Sequence, residues 1–195
     1  MRLKPGAPDE LPLSAREEFQ VIDLRYPIGQ FQPKSSLTAA ERVSAIERIA
    51  QTPDHLGAAI SGLSAERLDT AYREGGWTVR QIVHHLPDSH MNAYVRFKLA
   101  LTEREPIVKP YDEALWAELA DSRLTGVEVS LALLDALHQR WVILLKAMRP
   151  EDFARRINHP ELGVISLDWL LGEFAWHGAH HVAHITSLRE RLGWR

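Results

Sequence analysis

The stretch SLDWLLGEFAWHGAHHVAHITSLRERL, residues 166–192, carries the most structural information in this 195-residue chain. Ser166 is a suitable N-cap, and Gly193 follows the last apolar residue as a C-terminal stop. The pattern therefore predicts one long amphipathic helix. When the stretch is turned by about 100° per residue, one stripe collects its apolar side chains: Leu167, Leu170, Phe174, Ile185, Leu188 and Leu192.

This helix also holds four of the chain's ten histidines within nine residues. His181 falls in the middle of the apolar stripe and His177 at its edge, whereas His184 lies further out and His180 clearly outside. His177 and His181 are four apart, so their rings stack on one face and can share an ion. This helical-wheel projection favours His177 and His181 as the inward-facing pair over the rival pair His180 and His184. Two inward imidazoles are either hydrogen-bonded to neighbours or half of a metal site.

Three further segments show helical periodicity. The first covers residues 38–62 and is expected to kink or restart at Pro53. The second begins at the N-cap Thr78 and runs to about Glu103, and the third covers residues 127–148. A short helix at about residues 113–119 lies between them. No stretch alternates convincingly as a strand. Residues 159–163 are expected to form a turn, either alone or within a short hairpin-like excursion. Four long helices predict an all-α four-helix bundle with long connecting loops.

A second histidine cluster lies in the second long helix. His90 falls within the apolar face of this helix, His85 lies on its border, and His84 points away. Periodicity therefore offers His85 or His90 as a third ligand and does not choose between them. Pro87 stands between the two and removes a backbone hydrogen bond. Such local rule-breaking is often found at functional sites, although the proline can also simply bend the helix around the core.

The composition of the chain excludes several classes of partner and of chemistry. The net charge of −3 gives no reason to expect nucleic acid or an anionic membrane as a partner. With no cysteine, the chain has no disulfide, thiolate ligand or cysteine nucleophile. There is no signal-like run and no membrane-spanning apolar stretch, so a cytoplasmic protein is expected. Residues 1–20 are expected to form a flexible N-terminal extension, and residues 21–195 a single metal-binding helical bundle.

Several segments of the chain form longer motifs, in this order: RYPIG at 25–29, GGWTVRQIVHH at 75–85, DSHMN at 88–92, RFKLALTE at 96–103, KPYDE at 109–113, WH at 176–177, HVAHIT at 181–186 and GW at 193–194. Over about residue 22 to the end, these motifs resemble the YfiT-like branch of the DinB superfamily. The resemblance implies a bundle of the DinB/YfiT type, often a homodimer, with one divalent ion held by three histidines. Members have been described as metal-dependent hydrolases, and some as thiol S-transferases that use bacillithiol or a related thiol.

Carried over motif by motif, the resemblance implies that His85, His177 and His181 are the metal ligands. It thereby selects His85, where periodicity left His90 open. Pro87 is a departure, because many relatives are expected to have alanine there. The implied cofactor is one divalent ion per chain, zinc or nickel, which suits a site of imidazoles.

Three neutral histidines leave the ion its full charge and open coordination positions. A bound thiol would lose its proton, so the leading hypothesis is an S-transferase that joins a low-molecular-weight thiol to electrophiles. The alternative enzyme is a hydrolase using a metal-bound hydroxide, and a third hypothesis is a non-catalytic metal-binding stress-response bundle. Asp88, Asn92 and Arg96 are candidates for substrate contacts, with Arg96 suited to a carboxylate of the thiol. Glu173, one turn before His177, is a weaker candidate for a base.

Overall fold

The protein is described by a computed structural model over residues 23–194. The extension expected at residues 1–20 lies outside this range. Within it, no helix is both long and apolar enough to cross a membrane. The elements follow in chain order: α1 Ala39–Ile60, α2 Ala65–Leu68, α3 Val79–Thr102, α4 Glu113–Trp116, α5 Ala120–Leu124, α6 Val127–Ala147, a 3-10 helix Pro150–Ala154, β1 Arg156–His159, β2 Gly163–Ser166 and α7 Leu167–Leu192.

The four long helices form a bundle, which confirms the predicted fold class. Helix α1 packs against α6 and α7, and α3 packs against the same two helices. Consecutive long helices α1 and α3 therefore lie diagonally across the bundle. Each of the four helices turns one face toward a shared interior, where side chains from different helices can meet.

The ends of these helices follow from the sequence. Thr38 and Thr78 begin α1 and α3 with capping boxes, each using the side chain three residues later. The hydroxyl of Ser166 accepts from the backbone N–H of Trp169 at 3.1 Å at the start of α7. Gly193 ends α7 in the left-handed conformation, with φ of 62°, which glycine adopts without steric cost.

Two details concern segments for which the sequence left alternatives open. Helix α1 passes through Pro53 without restarting, so the proline removes one hydrogen bond but does not divide the helix. Strands β1 and β2 pair as a short antiparallel hairpin, with Ile157 opposite Ile165. Each strand has only four residues, too few for alternation to be recognised in the sequence. In the chain, the hairpin connects the 3-10 helix to α7.

The interior consists of two apolar clusters with a polar layer between them. The first cluster contains Ile49, Phe97, Trp141 and Phe174, and the second contains Leu56, Leu86, Leu134 and Ile185. On every long helix the boundary between the clusters falls at polar or proline positions. The polar layer comprises Thr52 and Pro53 on α1, His85 and His90 on α3, His138 on α6, and His177 and His181 on α7.

Residues 23–38 run along the outer face of α7. His184 Nε2 donates to the carbonyl of Arg25 at 3.0 Å, and Trp176 Nε1 donates to that of Gly29 at 3.2 Å. The rings of Tyr26 and Trp176 both lie against His180. The segment thereby covers a face of α7 that a bundle of four bare helices would leave exposed.

Candidate metal centre

Three histidines from two helices converge in the polar layer. His85 comes from α3, and His177 and His181 come from successive turns of α7. One nitrogen from each ring lies within 4.8 Å of the other two. His85 Nε2 and His177 Nε2 are 3.3 Å apart. These are the three residues that the family resemblance implied as ligands.

The spacing fits one ion of the size that imidazoles bind. Two nitrogens at about 2.0–2.1 Å from a tetrahedral ion are separated by about 3.3–3.4 Å. In addition, the buried Nδ1 of His181 has no hydrogen-bond partner within residues 23–194. A divalent ion is a partner of the right chemistry for this cluster, since its ligand set consists entirely of borderline nitrogen donors.

Burial keeps these rings neutral. Desolvation lowers the pKa of His85 to about 4, and it holds the pKa values of His177 and His181 well below 6.5. The neighbouring imidazoles lower the pKa values of His177 and His181 further, because two adjacent imidazolium charges would repel each other. A neutral imidazole has a lone pair available for a metal, so the cluster is ready to bind an ion at neutral pH.

Aromatic rings enclose the cluster. Trp77, just before α3, lies with its ring centre 4.6 Å from that of His85 and 6.2 Å from that of His181. Phe174 lies one turn before His177 on α7, with its ring centre 5.4 Å away. On the core side, His90 Nε2 is 3.1 Å from His177 Nδ1. These rings limit the orientations of the three histidines.

The cluster forms the inner end of a cleft of about 370 Å³. The connection after α3 forms one wall, held beside β1 by a hydrogen bond from Val108 N to Asn158 O of 3.1 Å. The turn between β1 and β2 forms the opposite rim. The cleft is lined by Trp77, His85, Ser89, Arg96, Pro110, Tyr111, Glu113, His159, Glu161, Leu162, Glu173, Phe174, His177 and His181.

Charged groups in the cleft are only loosely paired. Among residues 23–194, Arg96 has no hydrogen bond or ion pair, although it is half-buried and burial lowers its pKa. Burial raises the pKa of Glu173 to about 7, and the charge of Arg96 only partly opposes this shift. Burial raises the pKa of Tyr111 to about 12. The cleft therefore combines an available guanidinium with a carboxyl group that titrates near neutrality.

The substrate-contact candidates separate into two groups. Arg96 lines the cleft as expected, whereas Asp88 and Asn92 are not among the lining residues. The amide of Asn92 instead donates to the backbone carbonyl of Asp88 at 2.8 Å, on α3 itself. Burial, with the charge of Asp121 on α5, raises the pKa of Asp88 to about 6. Asp88 thus lies near α5, a neighbour that helical periodicity did not reveal.

His84 and His180 also need a correction. Both were expected to lie off the inward faces, yet the structure buries both, at 4% and 7% exposure. The Nδ1 of His84 is 2.7 Å from the hydroxyl of Ser130 on α6, and His180 lies beneath residues 23–38. The helical wheel missed the burial of His180 because it does not show a covering segment. It missed that of His84 because it does not show how closely α6 packs against this side of α3.

His159 and His138 were not identified from the sequence. His159 ends β1 and reaches the cleft across the bundle, so no local pattern connects it with α7. His138 occupies a core position of α6, in an apolar helix where a single histidine is an ordinary occurrence. The sequence contained one signal for each residue. His159 stands in a turn marked by Pro160 and Gly163, and His138 is a polar residue among the regularly spaced leucines of α6.

Comparisons with known proteins agree with this geometry. A family model described as the DinB superfamily matches residues 48–185. A protein of Bacillus mycoides named "Putative metal-dependent hydrolase" is 56% identical over 172 residues, which is 88% of this chain and 99% of that protein. A Bacillus cereus protein of the same description matches equally well. These names support the expectation of a metal-dependent enzyme.

Solved structures show the same fold. YfiT from Bacillus subtilis, described as a probable metal-dependent hydrolase with an unusual four-helix bundle topology, aligns with a TM-score of 0.87 and 46% identity. The alignment covers 89% of this chain and 100% of that one. TT2238, a four-helix bundle protein, aligns with a TM-score of 0.50 and 21% identity over 72% of this chain and 94% of that one, a likeness of fold alone.

Proposed function

This chain belongs to the DinB superfamily, and on that premise we propose that it is a metal-dependent S-transferase, joining a small carboxylate-bearing thiol to an electrophile. We assign His85, His177 and His181 as the ligands of one zinc or nickel ion. The observation that carries the proposal is the arrangement of the cleft. Three neutral imidazoles converge at its inner end, and the same cavity is lined by a guanidinium that forms no ion pair within the described part of the chain.

The ligand set favours chemistry on an external nucleophile. The chain contains no cysteine, so a sulfur nucleophile must come from a substrate. When bound, the ion supplies a charge that the three neutral imidazoles do not cancel, and this charge lowers the pKa of a thiol held beside it. The cleft, at about 370 Å³, has room for a small molecule.

The cleft residues have distinct roles in this reaction. Arg96 binds a carboxylate of the thiol substrate, because its fork of donors has no hydrogen-bond or ion-pair partner among residues 23–194. Glu173 accepts the thiol proton, since its pKa of about 7 allows either protonation state near neutrality. The sulfur then forms a bond to the electrophilic carbon. The bond from that carbon to the leaving group breaks, and the leaving group departs with the electron pair.

A second candidate is a hydrolase, which the names given to the related Bacillus proteins favour. The same cleft accommodates it if water takes the place of the thiol and Glu173 accepts a proton from water. The two reactions differ in whether a thiol is consumed. A third candidate, a bundle that binds metal without turnover, differs from both in having no product.

The test is turnover of 1-chloro-2,4-dinitrobenzene by protein loaded with zinc or nickel, with and without L-cysteine. We expect product formation above the uncatalysed rate only when both metal and thiol are present. His181→Ala should abolish it, whereas His55→Ala, which removes an exposed histidine of α1, should not. Equal turnover without thiol would establish the hydrolase instead. No turnover with verified bound metal would overturn both enzymatic proposals.

A further inference from the structure

A row of three histidine rings runs from the candidate ligand His177 into the core. His177 Nδ1 is 3.1 Å from His90 Nε2, and His90 Nδ1 is 2.8 Å from His138 Nε2. The row ends where His138 Nδ1 lies 2.6 Å from the carbonyl oxygen of Ile49. Its members come from α7, α3, α6 and α1, so one chain of hydrogen bonds crosses all four long helices.

The terminal carbonyl gives the row a direction. A carbonyl can only accept, so His138 Nδ1 donates to Ile49, and its Nε2 is left to accept from His90 Nδ1. His90 Nε2 then accepts from His177 Nδ1. Each ring has a single proton, because both imidazoles are buried and the charge of an imidazolium ion would be costly there. The Nε2 of His177 is thus left with its lone pair, facing His85 Nε2.

The acceptor at the end of the row depends on Pro53. In an α-helix the carbonyl of residue 49 would accept from the backbone N–H of residue 53. Proline has no N–H, so this carbonyl has no helical donor although it lies within α1. His138 takes the position of the missing donor. The proline that α1 tolerates in its interior therefore provides the acceptor to which the row is anchored.

Burial makes the row structurally demanding. His90 is fully buried, with its ring edge-on to those of Trp141 and Phe174, and His138 is 2% exposed. An imidazole in such surroundings is costly unless both of its nitrogens have partners. Within the row each nitrogen of both rings has one. Loss of one member therefore leaves its neighbours unsatisfied and free to change tautomer.

We propose that His90 and His138 are positioning residues, which hold His177 in the tautomer that presents Nε2 to the metal ion, with the Ile49 carbonyl as their anchor. The inference rests on the proposed role of His177 as a ligand. Neither residue touches the ion. Partners of this kind, which fix the orientation and protonation of a ligand, contribute about 10–100-fold to metal affinity.

The first test measures zinc affinity of the metal-free protein by competition with a chromophoric chelator. We expect His138→Leu and His90→Leu each to weaken binding by about 10-fold or more. His90→Gln should restore much of the loss, because an amide offers one acceptor and one donor at similar positions. The matched control is His84→Leu, a buried histidine of α3 bonded to Ser130 outside the row, which should leave affinity unchanged.

A double-mutant cycle separates the row from simple packing. If His138 acts through His90, His138→Leu should have little further effect on zinc affinity in a His90→Leu background. Additive effects of the two substitutions would mean that each only loosens the core, and would overturn the proposal. Circular dichroism of each metal-free variant establishes that the helices are retained.

A second measurement needs no variant. Two-bond nitrogen-15 correlation spectra of the metal-free wild type report which nitrogen of each histidine carries the proton. We expect the Nδ1–H tautomer for His177, His90 and His138, and the Nε2–H tautomer at His177 would overturn the proposal. If the wild type has these tautomers but does not bind zinc, the proposed metal-dependent function is overturned instead. Failure of the positioning proposal can therefore be distinguished from failure of the proposed function.

Discussion

Arg42 holds Asp168 with two parallel hydrogen bonds, from Nε to Oδ1 and from the terminal nitrogen to Oδ2, each 2.7 Å long. Arg42 lies in the first turn of α1, and Asp168 lies in the first turn of α7. The carboxylate also accepts from the backbone N–H of Leu37 at 3.2 Å. Its side chain is only 3% exposed, so this pair connects the start of α7 to α1 within the interface.

Asp168→Asn should lower the free energy of unfolding by about 2 kcal/mol. The substitution removes the charge that the half-covered Arg42 pairs with, and an amide can accept only one of its two bonds. Urea denaturation of the metal-free protein measures the difference. Asp23→Asn is the control, since it breaks the solvent-exposed pair with Arg25 and should leave the midpoint unchanged. Equal effects would mean that burial of the α1–α7 pair is irrelevant.

The bundle could be predicted from sequence because its helices are long and strongly periodic. The apolar stripe of α7, its Ser166 cap and its Gly193 stop recur in the structure, except that Leu192 at the end of the stripe is 50% exposed. The same periodicity put His177, His181 and His90 toward the interior. Periodicity could not distinguish a histidine that is proposed to bind the metal from one that hydrogen-bonds to a proposed ligand. Both His85 and His90 face the polar layer from the same helix.

The rest of the site depends on contacts between distant segments. The hydrogen bond between His138 and Ile49 joins α6 to α1, and it requires a carbonyl freed by Pro53. The sequence shows the proline but not which side chain replaces the missing donor. Likewise, the burial of His180 depends on residues 23–38 crossing α7, which no pattern within α7 can reveal. The assignment of the three metal ligands itself remains a prediction.

His180→Ala and His181→Ala should separate stability from metal binding. The ring of His180 stacks on Trp176 with centres 4.2 Å apart, so its loss should lower the free energy of unfolding by about 1–2 kcal/mol. The variant should still bind one zinc ion per chain. His181→Ala should lose that ion, because it removes a nitrogen from the three-histidine cluster. Metal content after dialysis and thermal melts measure the two properties, and metal loss in the His180 variant would contradict this division.

Metal removal should lower the melting temperature without unfolding the protein at room temperature. An ion shared by His85 of α3 and His177 of α7 binds only the folded state and stabilises it by about 2.7 kcal/mol at 100 times its dissociation constant. For a domain of this size the shift is about 5–10 °C. Scanning calorimetry with and without chelator measures it, with zinc added back as the control. An unchanged melt after verified removal would argue against an ion that joins the two helices.

Glu173→Gln should stabilise the metal-free protein at pH 8 and have little effect near pH 4. Burial raises the pKa of Glu173 from 4.5 to about 7, so the folded state holds this proton more tightly than the unfolded state. The wild type therefore loses stability relative to the variant as pH rises from about 4.5 to about 7. Urea midpoints across this range measure the difference. Glu190→Gln, at an exposed glutamate of α7, reports the effect of losing one surface charge.

Arg96→Gln should discriminate between thiols. If its guanidinium binds the carboxylate of the thiol, kcat/KM should fall about tenfold or more for L-cysteine, the range expected for one charge-assisted hydrogen bond. It should change by less than about twofold for 2-mercaptoethanol, which has no carboxylate. Lys98→Gln is the matched control, because it removes one positive charge from an exposed position of α3 outside the cleft. Equal losses with both thiols would show that Arg96 shapes the cleft rather than binding an anion.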